Sequence, residues 1–450
     1  MRMTETAHHH TVHTPAEATR DLLNRLTVTG GGLLAIILLA ILAVAGAVRL
    51  ILLAMPEPEP PTSWGYAVAI LAFLMSTAQA APILAFATRL AKGYWGIPLR
   101  RAADLLGLSG LVTTPLFIII LFQLPDFHGR TSTWNDWPYA PHLYDAVAIC
   151  LLTITNLAII WLTSVPDLAA ARDTRGSRLA SFLAMGWTGT KRRWNILTTG
   201  TILLGSFYLM WFVYVHMYLA SDLAMALVPG WHSSIFPAYH AVSSLQAGAA
   251  ATLLTLLILR RLAGLERYVG VDPFWGASKL LLGTSLLFFY FTWSEFIPMW
   301  YGRLPYEMNV LGVLMFGPFL PLFGLSFVLN FVLPFALLIW NPIRKSIMGP
   351  TFVAMLILTG NFIDRVRIYL SSWSVAGPVG MSIEVWPPIR PPALGDLAII
   401  VGALSALMLL YLLALRVVPP VSLWEHKSAL LLTVERRFIK TEVAVVAKPR

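Results

Sequence analysis

The sequence predicts an all-α integral membrane protein of about ten transmembrane helices, and three observations carry that expectation. Hydrophobic residues make up 57% of the chain and charged residues only 12%, where a soluble domain carries roughly 25% charged residues. Apolar runs long enough to cross a hydrocarbon core of about 30 Å as a helix recur from Gly31 to Val418. Lys and Arg alternate between crowded and sparse in the segments that separate those runs.

In order, the runs place helices near 31–55, 65–90, 101–124, 144–166, 196–220, 235–260, 274–300, 311–341, 348–371 and 395–418. The polar first 30 residues carry His8, His9, His10 and His13 and read as a disordered tail, not a metal site. The first apolar run starts too late and is too long for a signal peptide, so Gly31 to Met55 reads as a retained helix. Arg89, Lys92, Arg100 and Arg101 follow the second helix; Arg172, Arg175, Arg178, Lys191, Arg192 and Arg193 follow the fourth. Arg260, Arg261 and Arg267, then Arg344 and Lys345, then the tail from Arg416 to Arg450 continue that side. The other side holds little beyond Arg130, Arg303, Arg365, Arg367 and Arg390. By the positive-inside rule both termini are expected in the cytoplasm, which an even number of crossings satisfies. The net charge of +10 is therefore a topology signal and implies no nucleic-acid partner. A single cysteine, Cys150, excludes disulfides, Cys-ligated zinc or iron–sulfur sites and covalent haem in this chain.

That topology gives two four-helix units of equal polarity. The expected organisation is a tail over 1–30, a peripheral helix over 31–60, a first bundle over 61–225 and a second over 226–372. An outer loop with helix ten follows over 373–420, then a cytoplasmic tail over 421–450. Phe127-His128-Gly129-Arg130 and Trp300-Tyr301-Gly302-Arg303 stand at equivalent positions of the two units, which points to a parallel duplication.

Ionisable side chains at membrane depth are costly and call for a functional or pairing explanation. His128, Asp145, His216, Asp222, His232 and Glu295 gather toward one side. Were helices three to six one bundle, His128, Asp145 and Asp222 would face a single cavity. An imidazole and a carboxylate there suit the two oxygens and two protons of a quinol head group. The structural alternatives are plain: Asp145 as a helix cap, Asp222 as a solvated helix end, His128 bonded to a loop carbonyl, and His232 beside Trp231 as an interfacial anchor. Ser233 or Ser234 reads as the cap of helix six, with Pro237 in its first turn. Asp104, Thr153, Asn156, Lys279, Ser294 and Asn330, with Glu295, are candidates for a proton route, although interhelical hydrogen bonds explain Ser, Thr and Asn as well. A haem b would need paired histidines, and His216 and His240 match poorly in depth.

At these residues the chain resembles the membrane-subunit family of polysulfide and nitrite reductase complexes (NrfD/PsrC type), nearest to the ActC version in alternative complex III, then ActF. The resemblance runs from about Tyr66 to Leu370 and rests most on Asp222-Leu223-Ala224-Met225-Ala226-Leu227-Val228-Pro229-Gly230-Trp231-His232 and on to Pro237 and Tyr239. Phe127-His128-Gly129-Arg130, Val165-Pro166-Asp167-Leu168-Ala169 and Glu295 with Trp300-Tyr301 add to it. It implies a quinone site on the first bundle with His128, Asp145 and Asp222 as catalytic groups, and Arg130, Trp231 and His232 as further quinone contacts. It also implies menaquinol rather than ubiquinol as substrate, and no haem or iron–sulfur cluster in this chain. The implied partners are an extracytoplasmic iron–sulfur or molybdopterin-like subunit, a multihaem cytochrome c subunit, a second NrfD-type subunit and membrane lipid. Proton translocation is a further expectation, and the isolated chain is expected to be inactive. The chain departs from the family in a short 130–144 segment, in His240 where an aromatic is usual, and in Leu223 where Phe is common. A membrane anchor without quinone and a secondary transporter with a midplane site are the alternatives.

Overall fold

A computed structural model describes residues 15–24, 30–55, 61–125, 139–375, 383, 387–438 and 441–446. Its helices are α1 (Pro15–Asn24), α2 (Gly30–Leu53), α3 (Gly65–Thr77), α4 (Ala81–Leu90), α5 (Ile97–Leu106), α6 (Gly110–Leu121), α7 (His142–Arg175), α8 (Arg178–Leu183) and α9 (Lys191–Asp222). Then come α10 (Phe236–Leu262), α11 (Asp272–Gly302), α12 (Pro305–Leu311), α13 (Leu320–Phe327), α14 (Leu333–Leu338), α15 (Asn341–Arg344), α16 (Met348–Ser374), α17 (Leu394–Ala414) and α18 (Leu423–Leu432). A two-stranded antiparallel hairpin, β1 (Thr433–Phe438) and β2 (Thr441–Val446), pairs Thr433 with Val446 and Phe438 with Thr441.

The protein is an all-α, multi-pass membrane protein. Among the described residues nine helical stretches are long and apolar enough to span a bilayer, from Gly32–Leu53 to Leu394–Ala414. α16 is also long, with 27 residues, and is less apolar because Asp364, Arg365 and Arg367 lie within it. Every expected run coincides with helix. α7 runs nine residues past the expected end at 166, stopping where Gly176 takes a left-handed backbone (φ +64°).

The eighth run is broken rather than continuous. Pro318, Pro321 and Pro334 each lack an N–H, and the chain answers with wide helical turns at Gly312–Phe316 and Val328–Val332. Part of the segment expected to be a disordered tail is helix: in α1, Leu22 and Leu23 are fully buried, and Asp21 accepts a 2.7 Å hydrogen bond from Tyr268.

α3 is the hub. Its span is buried almost throughout, packed against α16, α10, α17 and α6. α2 lies outermost, with Leu34 70% and Ile41 60% exposed, and its one tight partner is α17. A Cβ on Gly402 would come 2.5 Å from the Cα of Gly46, so the two helices cross at glycine contact distance, as small-residue membrane interfaces do. The helix ends sort into two: one carries Arg89, Arg100, Arg101, α1 and α18, and is called the basic end; the other carries Asp145, Asp222 and Glu295.

Candidate functional site

At the end opposite the basic end, α7 begins and α9 finishes. Asp145 lies in the first turn of α7 and is 1% exposed; Asp222 is the last residue of α9 and is 2% exposed. Tyr218, one turn before Asp222 on α9, lies within electrostatic range of both carboxylates. Two acids distant in sequence thus both act electrostatically on one phenol. His128 and Arg130 fall outside the described residues, in the segment joining α6 to α7.

From Asp222 the chain turns through Met225–Leu227 to Gly230, which has φ +77° and sits against Tyr306, where a Cβ would come within 2.7 Å. Glycine therefore meets two demands there, the left-handed backbone and the close approach. The turn delivers Trp231 inward, 1% exposed, so that its indole N–H donates to Glu295 Oε1 at 3.1 Å. The Ser233 hydroxyl donates to Glu295 Oε2 and also accepts from the amides of Ile235 and Phe236 at 3.1 Å, at the start of α10. His232 points to the surface. The loop is therefore anchored to α11 through one carboxylate held by two neutral donors.

Two centres with matching construction lie deeper. In the first unit Pro82 disrupts the helix, Ile83 N–H turns to the Ala80 carbonyl (3.2 Å), and the Gln79 carbonyl is left to accept from the Tyr208 hydroxyl. The Gln79 amide then bridges Thr113 (2.9 Å) and Thr153 (3.5 Å), and Thr153 also meets Thr114 at 2.7 Å. In the second unit Pro334 has no N–H for the Asn330 carbonyl, which accepts instead from Gln246 Nε2 at 2.8 Å; the same nitrogen donates to Ser285 at 2.8 Å. In each unit a glutamine on the first helix ties the second and third helices together beside a proline-broken turn. Asn156 is fully buried with its amide against Gly107, where a Cβ would come 2.2 Å from Nδ2. Ser294 is half-buried on α11.

Of the other expected residues, Asp104 is fully buried and bidentate to Arg89, at 3.0 and 2.6 Å. Lys279 lies on an exposed face with its ammonium 4.0 Å from the centre of the Trp275 ring.

Two charged groups join residues that stand apart in the sequence. The first is a lattice at the basic end. Arg89 and Arg100 both reach Glu425 of α18 (3.1 and 3.0 Å), and Arg101 pairs with Asp167 at 2.6 Å. Asp167 in turn accepts from the amides of Leu423 and Trp424, capping α18 from another helix. Burial pushes the Glu425 carboxyl up, but the Arg89 and Arg100 guanidiniums outweigh it and hold the group below the usual glutamate range.

The second group is on α16. Arg365 and Arg367, expected among the sparse charges of the outer side, are buried at 0% and 4% exposure and share Asp364 at 3.2 and 2.7 Å. Tyr239 donates to Asp364 at 2.8 Å, and Arg365 reaches Ser76 and Ser243 at 2.9 and 2.7 Å. An acid with basic residues one and three positions on, inside an apolar helix, was the available signal.

Among the described residues no three His, Cys, Asp or Glu side chains are grouped to hold a metal ion. No protein-family model matches the chain, and no curated protein matches it.

Proposed function

We propose that this chain is the quinol-oxidising membrane subunit of a multisubunit respiratory or photosynthetic electron-transfer complex in a bacterial cytoplasmic membrane. Its basic end and both termini then face the cytoplasm. The observation that supports this most is that Asp145 and Asp222, both buried at the end of the first unit, each act electrostatically on Tyr218, and that the segment leading into α7 carries His128. Two buried acids, with a histidine in the sequence just before α7, suit removal of two protons from a quinol. His128 and Asp222 take the protons of opposite hydroxyls as two electrons leave for an iron–sulfur partner on the outer side, and the quinone departs. Asp145 orients His128 or receives its proton.

A photoreactive menaquinone analogue, applied to the chain in lipid nanodiscs, tests the site. Labelling is expected in the first turn of α7 or between residues 218 and 232, reduced by Asp222→Asn. Labelling confined to other helices contradicts the reading. One observation favours a second reading, a secondary transporter: α3–α4 and α13–α14 are interrupted at Gln79 and Asn330, well inside apolar spans. Substrate-free labelling of both interruptions by a hydrophilic thiol reagent, after cysteine substitution, favours that alternative.

A further inference from the structure

α2 carries a single charged residue, Arg49, one turn before its end at Leu53. The helix leaves the basic end and finishes at the opposite one, so this guanidinium sits at the far end of an apolar span. A charge at membrane depth is costly unless it is paired or reaches water. Arg49 is half-buried and lies against the start of α17, where a Cβ on Gly395 would run into its Nε and come 3.1 Å from Nη2. A glycine at that position makes room for the charge. Among the described residues Arg49 makes no hydrogen bond or ion pair.

The acid beside Gly395 is already engaged. Asp396 accepts from Arg390 at 3.1 Å and from the Ala393 amide at 2.8 Å, and Arg390 still has its Nε without a partner among the described residues. The start of α17 therefore holds two guanidiniums against one carboxylate. Leu50 and Ile51, next to Arg49 in the chain, open a cleft of about 290 Å³ between α2, α6 and α17. From Ile51 back to Ala43 it runs about 12 Å along α2, most of one leaflet of a hydrocarbon core of about 30 Å. Small side chains beside the Gly46–Gly402 crossing, among them Ala47, Ala403 and Ala406, leave the space. Every lining residue is Ala, Gly, Val, Leu, Ile or Pro, so the cleft offers water no hydrogen-bonding side chain.

We infer that Arg49 and this cleft form a binding site for an anionic phospholipid of the leaflet on the side of Asp145 and Asp222. The phosphate accepts from the Arg49 guanidinium, whose planar fork of donors suits it, and one acyl chain lies between α2, α6 and α17. The bound phosphate supplies the counter-charge that the start of α17 lacks, and the chain fills the gap between the outermost helix and the first unit. A quinol's tail would also fit the cleft, but its head is uncharged and leaves Arg49 unpaired. The inference is independent of the quinol reading and holds whichever way the protein faces.

Phosphatidylglycerol with a photoreactive diazirine in one acyl chain, present at trace level in phosphatidylcholine nanodiscs holding the full chain, tests the site. A phosphatidylcholine probe with the same acyl chains is the comparison. Peptide mapping should place the crosslinks on residues 43–51, 111–119 and 399–406, with the phosphatidylglycerol probe favoured about tenfold or more, as expected for a hydrogen bond to a charged group. Arg49→Gln should bring its yield down to that of the phosphatidylcholine probe, and Arg49→Lys, a point charge without the fork, should fall between. Ala403→Phe, which fills the cleft while keeping Arg49, should lower the yield, and added menaquinone should leave it unchanged. Equal labelling of these segments by the two probes overturns the proposal, as does labelling that survives Arg49→Gln or Ala403→Phe or is displaced by menaquinone. The two probes and menaquinone are compared on the unmodified chain, so a variant that fails to fold still leaves a decisive result.

Discussion

Buried acids at the two ends of this molecule are partnered in different ways. At the basic end Asp104, Asp167 and Glu425 each meet arginine, at 2.6, 2.6 and 3.0 Å. At the opposite end Glu295 is held by an indole and a hydroxyl, and Asp145 and Asp222 both act electrostatically on Tyr218. An ion pair fixes both partners in their charged forms and is disrupted when either changes. A carboxyl held by neutral donors is satisfied ionised or protonated, since a protonated acid can donate in its turn. The basic end ties acid to base, whereas Glu295 at the other end is tied to groups that carry no charge.

Substitutions at the two ends probe this contrast directly. Asp167→Ala should be the most damaging: it strands the buried Arg101 and uncaps α18, at a cost of about 3–5 kcal/mol, read as a lowered unfolding temperature in nanodiscs. Glu425→Gln should cost about 1.5–3 kcal/mol, the value of a hydrogen bond to a charged group, and expose α18 to protease. Acid should imitate it. Glu425 is held below the ordinary glutamate range, so the stability it adds is complete at neutral pH. That stability is lost as pH falls below about 4, which Trp424 fluorescence can follow. Gly402→Leu, away from both ends, should force α2 from α17 at about 1–3 kcal/mol, measured in the same way. Glu295→Gln should be mildest, within about 1 kcal/mol, because the glutamine oxygen still accepts from Trp231. Equal losses for Glu295→Gln and Asp167→Ala would erase the distinction between the ends.

Much of this architecture was legible in sequence because membrane helices advertise themselves: an apolar run has to be long, and its polar punctuation marks where it stops. The start of α10 was readable for a similar local reason, although Ile235 holds the cap position and Ser233, two residues earlier, accepts from the Ile235 and Phe236 amides. The break at Val328–Val332 was hidden because one proline does little to the apolarity of a long run, while its missing N–H matters to Asn330 one turn earlier. Contacts that join distant segments were illegible. Nothing near Glu425 announces Arg89, which is 336 positions away, and a polar tail gives no hint that it docks. Arg365 and Arg367 were assigned to the outer side because a charge in sequence reveals nothing of a partner on another helix. At the candidate site Asp145 and Asp222 were named from topology, and Tyr218 was not, since a tyrosine in an aromatic-rich helix carries no distinguishing mark.

The central claim is that the end opposite the basic end takes protons from a quinol. The most direct measurement is quinol-dependent electron transfer by the assembled complex, with assembly confirmed for each variant. His128→Ala and Asp222→Asn should each lower the rate by about 10²- to 10⁴-fold, the usual loss on removing a general base, with Asp145→Asn affected less. Rates near that of the unmodified complex in both His128→Ala and Asp222→Asn would contradict the account.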